Sequence, residues 1–259
     1  MKKESKKESK KDGSKWSGKE NSGENVGNGI HQEDAWTFRV EGLADEFDQH
    51  VNLSVPGYDQ VQGLVGQLSR YFLYDGCSVV DYGCSTGRTL QEIAARNKGR
   101  KIEYIGVDDS HEMCEKARER MSSLGVSFDI LNAQAEKTFP PSNVALVIMI
   151  YTAQFMPEKS RWKFFLDMTS KMPPGSGLIV VEKTIPDEPR FSQIFSEIHI
   201  EQKKKHFDSM EVDSKARSLI GVLRPEQTNS FEQRLKQYGF SVSKFWQTLA
   251  FSGWVCRRS

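Results

Sequence analysis

The residues with the clearest chemical meaning are Val79-Val80-Asp81-Tyr82-Gly83-Cys84-Ser85-Thr86-Gly87, an apolar run that breaks into a turn of small residues. At the end of a strand, glycines let the main chain bend sharply and let a ligand come close to it. The turn is neither a GxGxxG dinucleotide fingerprint nor a GxxxxGK[ST] phosphate loop, because Arg88 and not Lys follows Gly87. A phosphate cradle is therefore not implied. Asp108, 25 residues past Gly83 in Ile105-Gly106-Val107-Asp108-Asp109-Ser110, ends a second apolar run. A carboxylate there can accept hydrogen bonds from both hydroxyls of a ribose. Glycine turn, absent phosphate cradle and ribose-binding acid together describe a site for a nucleoside without phosphates. S-adenosylmethionine (SAM) is the common cofactor of that description. The plainer alternative is that Gly83 and Gly87 only shape a turn and Asp108 only caps a helix.

Other chemistry is weakly signalled. The five histidines (His31, His50, His111, His199, His206) show no HxxxH or HExxH spacing, so no metal is expected. No GxSxG elbow exists, and Cys84 has no nearby base, which leaves close packing against the ligand as its role. Lys203-Lys204-Lys205 with His206 reads as a solvated helix face rather than a nucleic-acid contact.

The elements that must position these residues alternate. A helix is expected over Asp59 to Leu73, with Val61, Leu64, Val65, Leu68 and Phe72 on one face. Strands are expected at Cys77–Tyr82, Ile102–Val107, Val126–Leu131, Val144–Tyr151 and Gly177–Glu182, with helices over Thr86–Arg96, from Ser110 to about Met121, and over Glu158–Lys171. Val144 to Tyr151 is apolar without alternation, as in a strand covered on both faces. The pattern predicts an α/β fold: a doubly wound, mostly parallel, seven-stranded sheet with helices on both faces. A helical insertion is expected at about 186–223, then a helix near Ser230–Tyr238 and a closing hairpin of Phe240–Trp246 and Ala250–Cys256.

Composition bounds the function classes. The chain has 259 residues, 37% apolar, with 36 basic and 35 acidic side chains and a net charge of +1. No global field draws it to nucleic acid. Mean hydropathy is −0.58. The longest apolar stretch is far below the roughly 20 residues that span a bilayer. Four cysteines without CxxC spacing, and no apolar segment after the N-terminal lysines, give the expectation of a reduced, cytoplasmic protein. Residues 1–34 carry eight lysines against seven acids and few apolar side chains, and read as a disordered, solubilising tail ahead of one domain over 35–259.

At the glycine turn the sequence resembles the class I SAM-dependent methyltransferase superfamily, whose fold is Rossmann-like. A narrower resemblance lies in Trp36-Thr37-Phe38, Phe47, Ser54-Val55-Pro56-Gly57-Tyr58, Thr152-Ala153-Gln154-Phe155, Val180-Val181-Glu182-Lys183, and Val222-Leu223 followed by Pro225-Glu226. These are similar to the carboxy-S-adenosylmethionine synthases, from about Trp36 to Val255. That resemblance implies conversion of SAM to its carboxylated form, with prephenate as the source of carbon dioxide. The product would feed carboxymethylation of wobble uridine in tRNA. A homodimer is implied, with no nucleic-acid contact of its own and no membrane. By position, Tyr58 contacts the carboxyl-bearing end of the ligand, and Gly83, Cys84 and Ser85 line its methionine and ribose part. Asp108 holds the ribose and Asp109 lies beside the adenine. Three departures stand out. Ala133-Gln134 replace the family's Asp-Ile pair at the adenine, and Ile150 replaces a ligand-contacting Asn. The arginine that holds the new carboxylate falls on Ala216, which leaves the neighbouring Arg217, together with Tyr58, as the catalytic candidates.

The physics of that arginine is simple: a buried carboxylate needs a charge-assisted partner. With Arg217 in place the carboxylating activity stands. Without it, conventional methyl transfer to a small molecule or nucleic acid is the alternative, and a non-catalytic SAM-binding partner is the third.

Overall fold

The computed structural model describes residues 42–259. The Lys-rich tail and Trp36-Thr37-Phe38 lie outside them. Two helices, α1 (Leu43–Ser54) and α2 (Tyr58–Ser69), precede the sheet. Then come β1 (Ser78–Tyr82), α3 (Arg88–Arg96), β2 (Glu103–Asp108), α4 (His111–Ser122), β3 (Ser127–Asn132), β4 (Val144–Ile150), α5 (Glu158–Lys171) and β5 (Gly177–Ile185). Helices α6 (Pro189–Lys203) and α7 (Ser209–Ser218) follow, then β6 (Glu226–Gln227), α8 (Thr228–Gln237), β7 (Phe240–Thr248) and β8 (Phe251–Arg258).

The strands lie in the order β3-β2-β1-β4-β5-β8-β7, with the two-residue β6 beside β5. From β3 to β5 every pair is parallel, and β8 runs antiparallel between β5 and β7. The expected sheet is the observed one. The chain leaves β1 for β2 on one side and returns to β4 on the other, so a crevice opens at the β1/β4 switch point.

Alternation along the strands divides the core into two layers. Val79, Ile148, Ile179 and Val181 pack with Val61 and Val65 of α2, Leu90 and Ile93 of α3, and Ala117 of α4. Val80, Val147, Met149, Leu178 and Val180 pack with Trp162, Phe165 and Met168 of α5 and Phe231 of α8. Burial on both faces explains why β4 and β5 read as unbroken apolar runs.

Two details differ from expectation. Helix α1 leaves no mark in the periodicity, because only Leu43 and Ala44 of its residues are buried. Helix α2 starts at Tyr58 and stops at Ser69, where Arg70, Tyr71 and Phe72 donate their amides to i−3 carbonyls in a tighter turn. None of the described helices is long and apolar enough to cross a membrane.

Phe165 is fully buried between α5 and the sheet, on the layer away from the glycine turn. Phe165→Ala should cost about 3–5 kcal/mol of unfolding free energy in urea denaturation, while the folded protein keeps its ligand affinity.

Candidate active site

Strand β1 ends in the glycine turn because the backbone there has no ordinary path. Gly83 has φ 72° and Ser85 φ 48°. A Cβ on Gly83 would collide with the Thr152 side chain, so the missing side chain makes room for the segment after β4, and the Gly83 backbone also lines the cavity described below. The amides of Gly83 and Cys84 both donate to the Val107 carbonyl, at 2.7 and 3.1 Å, which bends the turn over the tip of β2.

Asp108 fastens that arrangement. Its Oδ2 accepts from the Ser85 amide at 2.9 Å and its Oδ1 from the Ser110 amide at 2.9 Å. Ser110 in turn accepts from the Met113 amide and caps α4. Asp109, next to Asp108, is exposed. Cys84 is buried, and burial pushes its thiol well above the ordinary range, so it is a packing group and not a nucleophile.

The turn opens into a cavity of about 400 Å³, within the range of small-molecule sites. Its lining includes Tyr58, Gly83, Cys84, Ser85, Asp108, Asp109, Ala133, Gln134 and Ile150, so nine of the sequence candidates share one space. Arg217 is not among them. It lies on the exposed face of α7, as does Ala216, and the α7 residue that lines the cavity is Lys215. Two residues at about 100° each place the two side chains on opposite flanks of the helix. Arg217, expected as a catalytic residue, does not reach the cavity of this chain. Lys203 also departs from the solvated reading: it lines the cavity, while Lys204 and Lys205 are exposed.

The structure adds residues that the motifs missed. Tyr151, at φ 57°, stacks on Tyr58 with ring centroids 6.1 Å apart and meets Phe251 edge-on at 6.0 Å. Burial and the negative neighbours Asp48 and Asp81 hold the Tyr58 phenol protonated. Glu182 fixes the turn after β4 by accepting the amides of Ala153 and Gln154, both at 2.9 Å. Burial lifts its pKa to about 8, against the pull of those amides and of Arg161. Gln154 Oε1 accepts from the Lys183 amide at 2.8 Å, which ties the turn to β5. Helical spacing was the available signal for α6: His199 and Lys203 are four apart and share a face.

His199 ties α6 to the end of α1, its Nε2–H donating to the Ser54 carbonyl at 2.9 Å. Burial, first, lowers its pKa to about 4. Among the described residues no group of three His, Cys, Asp or Glu could hold a metal ion.

Two outcomes follow from this geometry. Asp108→Ala should lower SAM affinity about 100-fold by isothermal titration while far-UV circular dichroism stays native, because the loop loses its anchor and the ligand its acceptor. His199 is neutral in the fold and gains a proton more easily when unfolded. Stability it leaves intact above pH 6.5 is lost as pH falls toward about 4, by up to about 3 kcal/mol. Urea titrations of wild type and His199→Gln across pH 4–8 should therefore converge at low pH and separate at neutral pH.

The methyltransferase domain family matches residues 79–175, from β1 to the turn before β5. The carboxy-S-adenosyl-L-methionine synthase of Shewanella piezotolerans is 27% identical over 212 residues, covering 79% of this chain and 85% of that protein. In fold, the chain is similar to an O-methyltransferase family protein from Burkholderia thailandensis, with a TM-score of 0.57 and 15% identity over 84% of this chain and 60% of that one. It is also similar to human N-acetylserotonin methyltransferase, solved in complex with SAM, with a TM-score of 0.59 and 15% identity over 86% of this chain and 57% of that one. The chain thus spans about 60% of the length of these solved structures. Residues 79–175 thus match a methyltransferase domain, and the chain shares its fold with methyltransferases of known structure, one of them solved with SAM.

Proposed function

We propose that the chain converts SAM to carboxy-SAM, with prephenate as the source of carbon dioxide, and that the product serves the carboxymethylation of wobble uridine in tRNA. The observation that carries this reading is the place of Ser54-Val55-Pro56-Gly57-Tyr58. Ser54, Val55 and Tyr58 line the same cavity as the glycine turn, so the segment that resembles carboxy-SAM synthases is part of the site. The turn is pinned there: a Cβ on Gly57 would meet the Trp246 ring at 2.9 Å, and Trp246 Nε1 donates to Gln60 Oε1 at 3.0 Å. The similarity to the Shewanella enzyme covers most of both chains.

The residues present fit a nucleoside. Asp108 offers a carboxylate to the sugar, and Ala133, after β3 on the same side of β1, offers apolar surface to the base. Bound SAM supplies a methyl carbon activated by its sulfonium charge. The chain's part is to hold that carbon away from water, and Phe47, Val51, Val55, Leu219, Leu223 and Phe251 give the cavity apolar walls for this. Tyr58 presents a protonated phenol to the far end of the ligand. In this reading the enzyme is a cytoplasmic homodimer, in keeping with four cysteines that are all unpaired.

A second reading, conventional methyl transfer to a small molecule or nucleic acid, is favoured by Ile150, which cannot hydrogen-bond, and by the exposure of Arg217. The two separate in one measurement. Purified protein is denatured and the released nucleoside identified by mass spectrometry. Carboxy-SAM is expected; the demethylated product of SAM without carboxy-SAM would overturn this reading in favour of the second.

A further inference from the structure

The cavity carries opposite charge at its two ends. Asp108, Asp109 and Glu136 line it at the tips of β2 and β3, whereas Lys183 of β5, Lys203 of α6 and Lys215 of α7 line it on the other side of the switch point. Strands β2 and β5 are three places apart in the sheet, a separation of about 14 Å. That distance is longer than a ribose, and a ligand seated on Asp108 reaches toward the lysines with its other end.

The three lysines belong to three different elements, so no helical repeat throws them together. Lys183 and His199 meet at Phe251. Lys183 Nζ lies 5.9 Å from its ring centroid, and the His199 ring lies 5.2 Å away, edge-on. Tyr151 reaches the same ring, and its hydroxyl is buried with no hydrogen-bond partner among the described residues. Burial, and after it the charge of one lysine on the next, lowers the pKa of Lys203 to about 8 and of Lys215 to about 6. Lys183 is lowered by burial as well. Lysines held this way in an apolar wall are costly to keep charged, and an anion between them offsets the cost.

Resting on the carboxy-SAM reading above, we propose that this basic end binds the added carboxylate that carboxy-SAM has and SAM lacks, with Lys183, Lys203 and Lys215 together doing what a single guanidinium would do and the Tyr151 hydroxyl as a neutral donor. Carboxy-SAM carries one carboxylate more than SAM and the same sulfonium, so the lysines distinguish the two ligands by that added charge. Three ammonium groups surround an anion as point charges, without the planar two-bond fork of an arginine, so each one contributes part of the hold.

The test is isothermal titration of SAM and carboxy-SAM into wild type, Lys203→Met, Lys183→Met, Tyr151→Phe and Arg217→Ala. Wild type should prefer carboxy-SAM. Each methionine variant should lose about tenfold or more in carboxy-SAM affinity and stay within about twofold for SAM. Tyr151→Phe should lose about threefold, again only for carboxy-SAM, and it serves alone if a lysine variant does not fold. Arg217→Ala should change neither affinity. Preference kept in the lysine variants overturns this inference and leaves the proposed function standing. Absence of preference in wild type overturns the proposed function itself.

Discussion

The Asp108 carboxylate is the constraint on which the site depends. One oxygen holds the amide of Ser85 and the other the amide of Ser110, so a single side chain joins the turn after β1 to the start of α4. Both amides belong to backbone with no other secondary-structure partner, and burying them unpaired would be costly. The carboxylate thereby fixes the floor of the cavity before any ligand arrives. A sugar that hydrogen-bonds to it meets an acceptor already held in place, which lowers the entropy lost on binding.

The other walls are held by charges placed just behind them. Glu182 accepts two amides at the turn after β4, and Arg161 stands near it, donating to the Met156 carbonyl at 3.1 Å and the Arg224 carbonyl at 2.6 Å. Glu226 completes the set, taking the Trp162 indole N–H at 3.0 Å and pairing with Arg161 at 3.4 Å. Asp48 does the same for α1: it accepts from Thr86 Oγ1 at 2.7 Å and pairs with Arg120 of α4 at 2.6 Å. None of these acids touches the cavity space, yet each orients a segment that does.

How much of this could be read in the sequence follows from the range of the interactions involved. Periodicity located β1, β2, β4, β5 and α5 because burial on a fixed face repeats every two or about 3.6 residues. The glycine turn and Asp108 were legible because they serve a local need of the backbone. Which residue of α7 faces the cavity was not legible, because a position on a helix cannot be told from its neighbour until the helix is docked. Here Val212 is the buried residue of α7, and it sets Lys215 rather than Arg217 toward the cavity. Lys183, Lys203 and Lys215 come together only through tertiary contact, and no spacing rule connects them. The role of Gly83 was legible as a turn but not as a seat for Thr152, since that contact spans almost 70 residues of chain.

The antiparallel insertion of β8 between β5 and β7 has a kinetic side. Gly177 pairs with Arg257, and Lys183 with Phe251, so the middle of the sheet is completed by the segment farthest along the chain. Until it arrives, β5 is an open edge with its amides and carbonyls unmet, and Phe251 is absent from beside Lys183. Pairings this distant in sequence form late and slowly. The wall that β8 supplies to the cavity through Phe251 is thus the part of the site that depends on the longest-range pairing in the sheet.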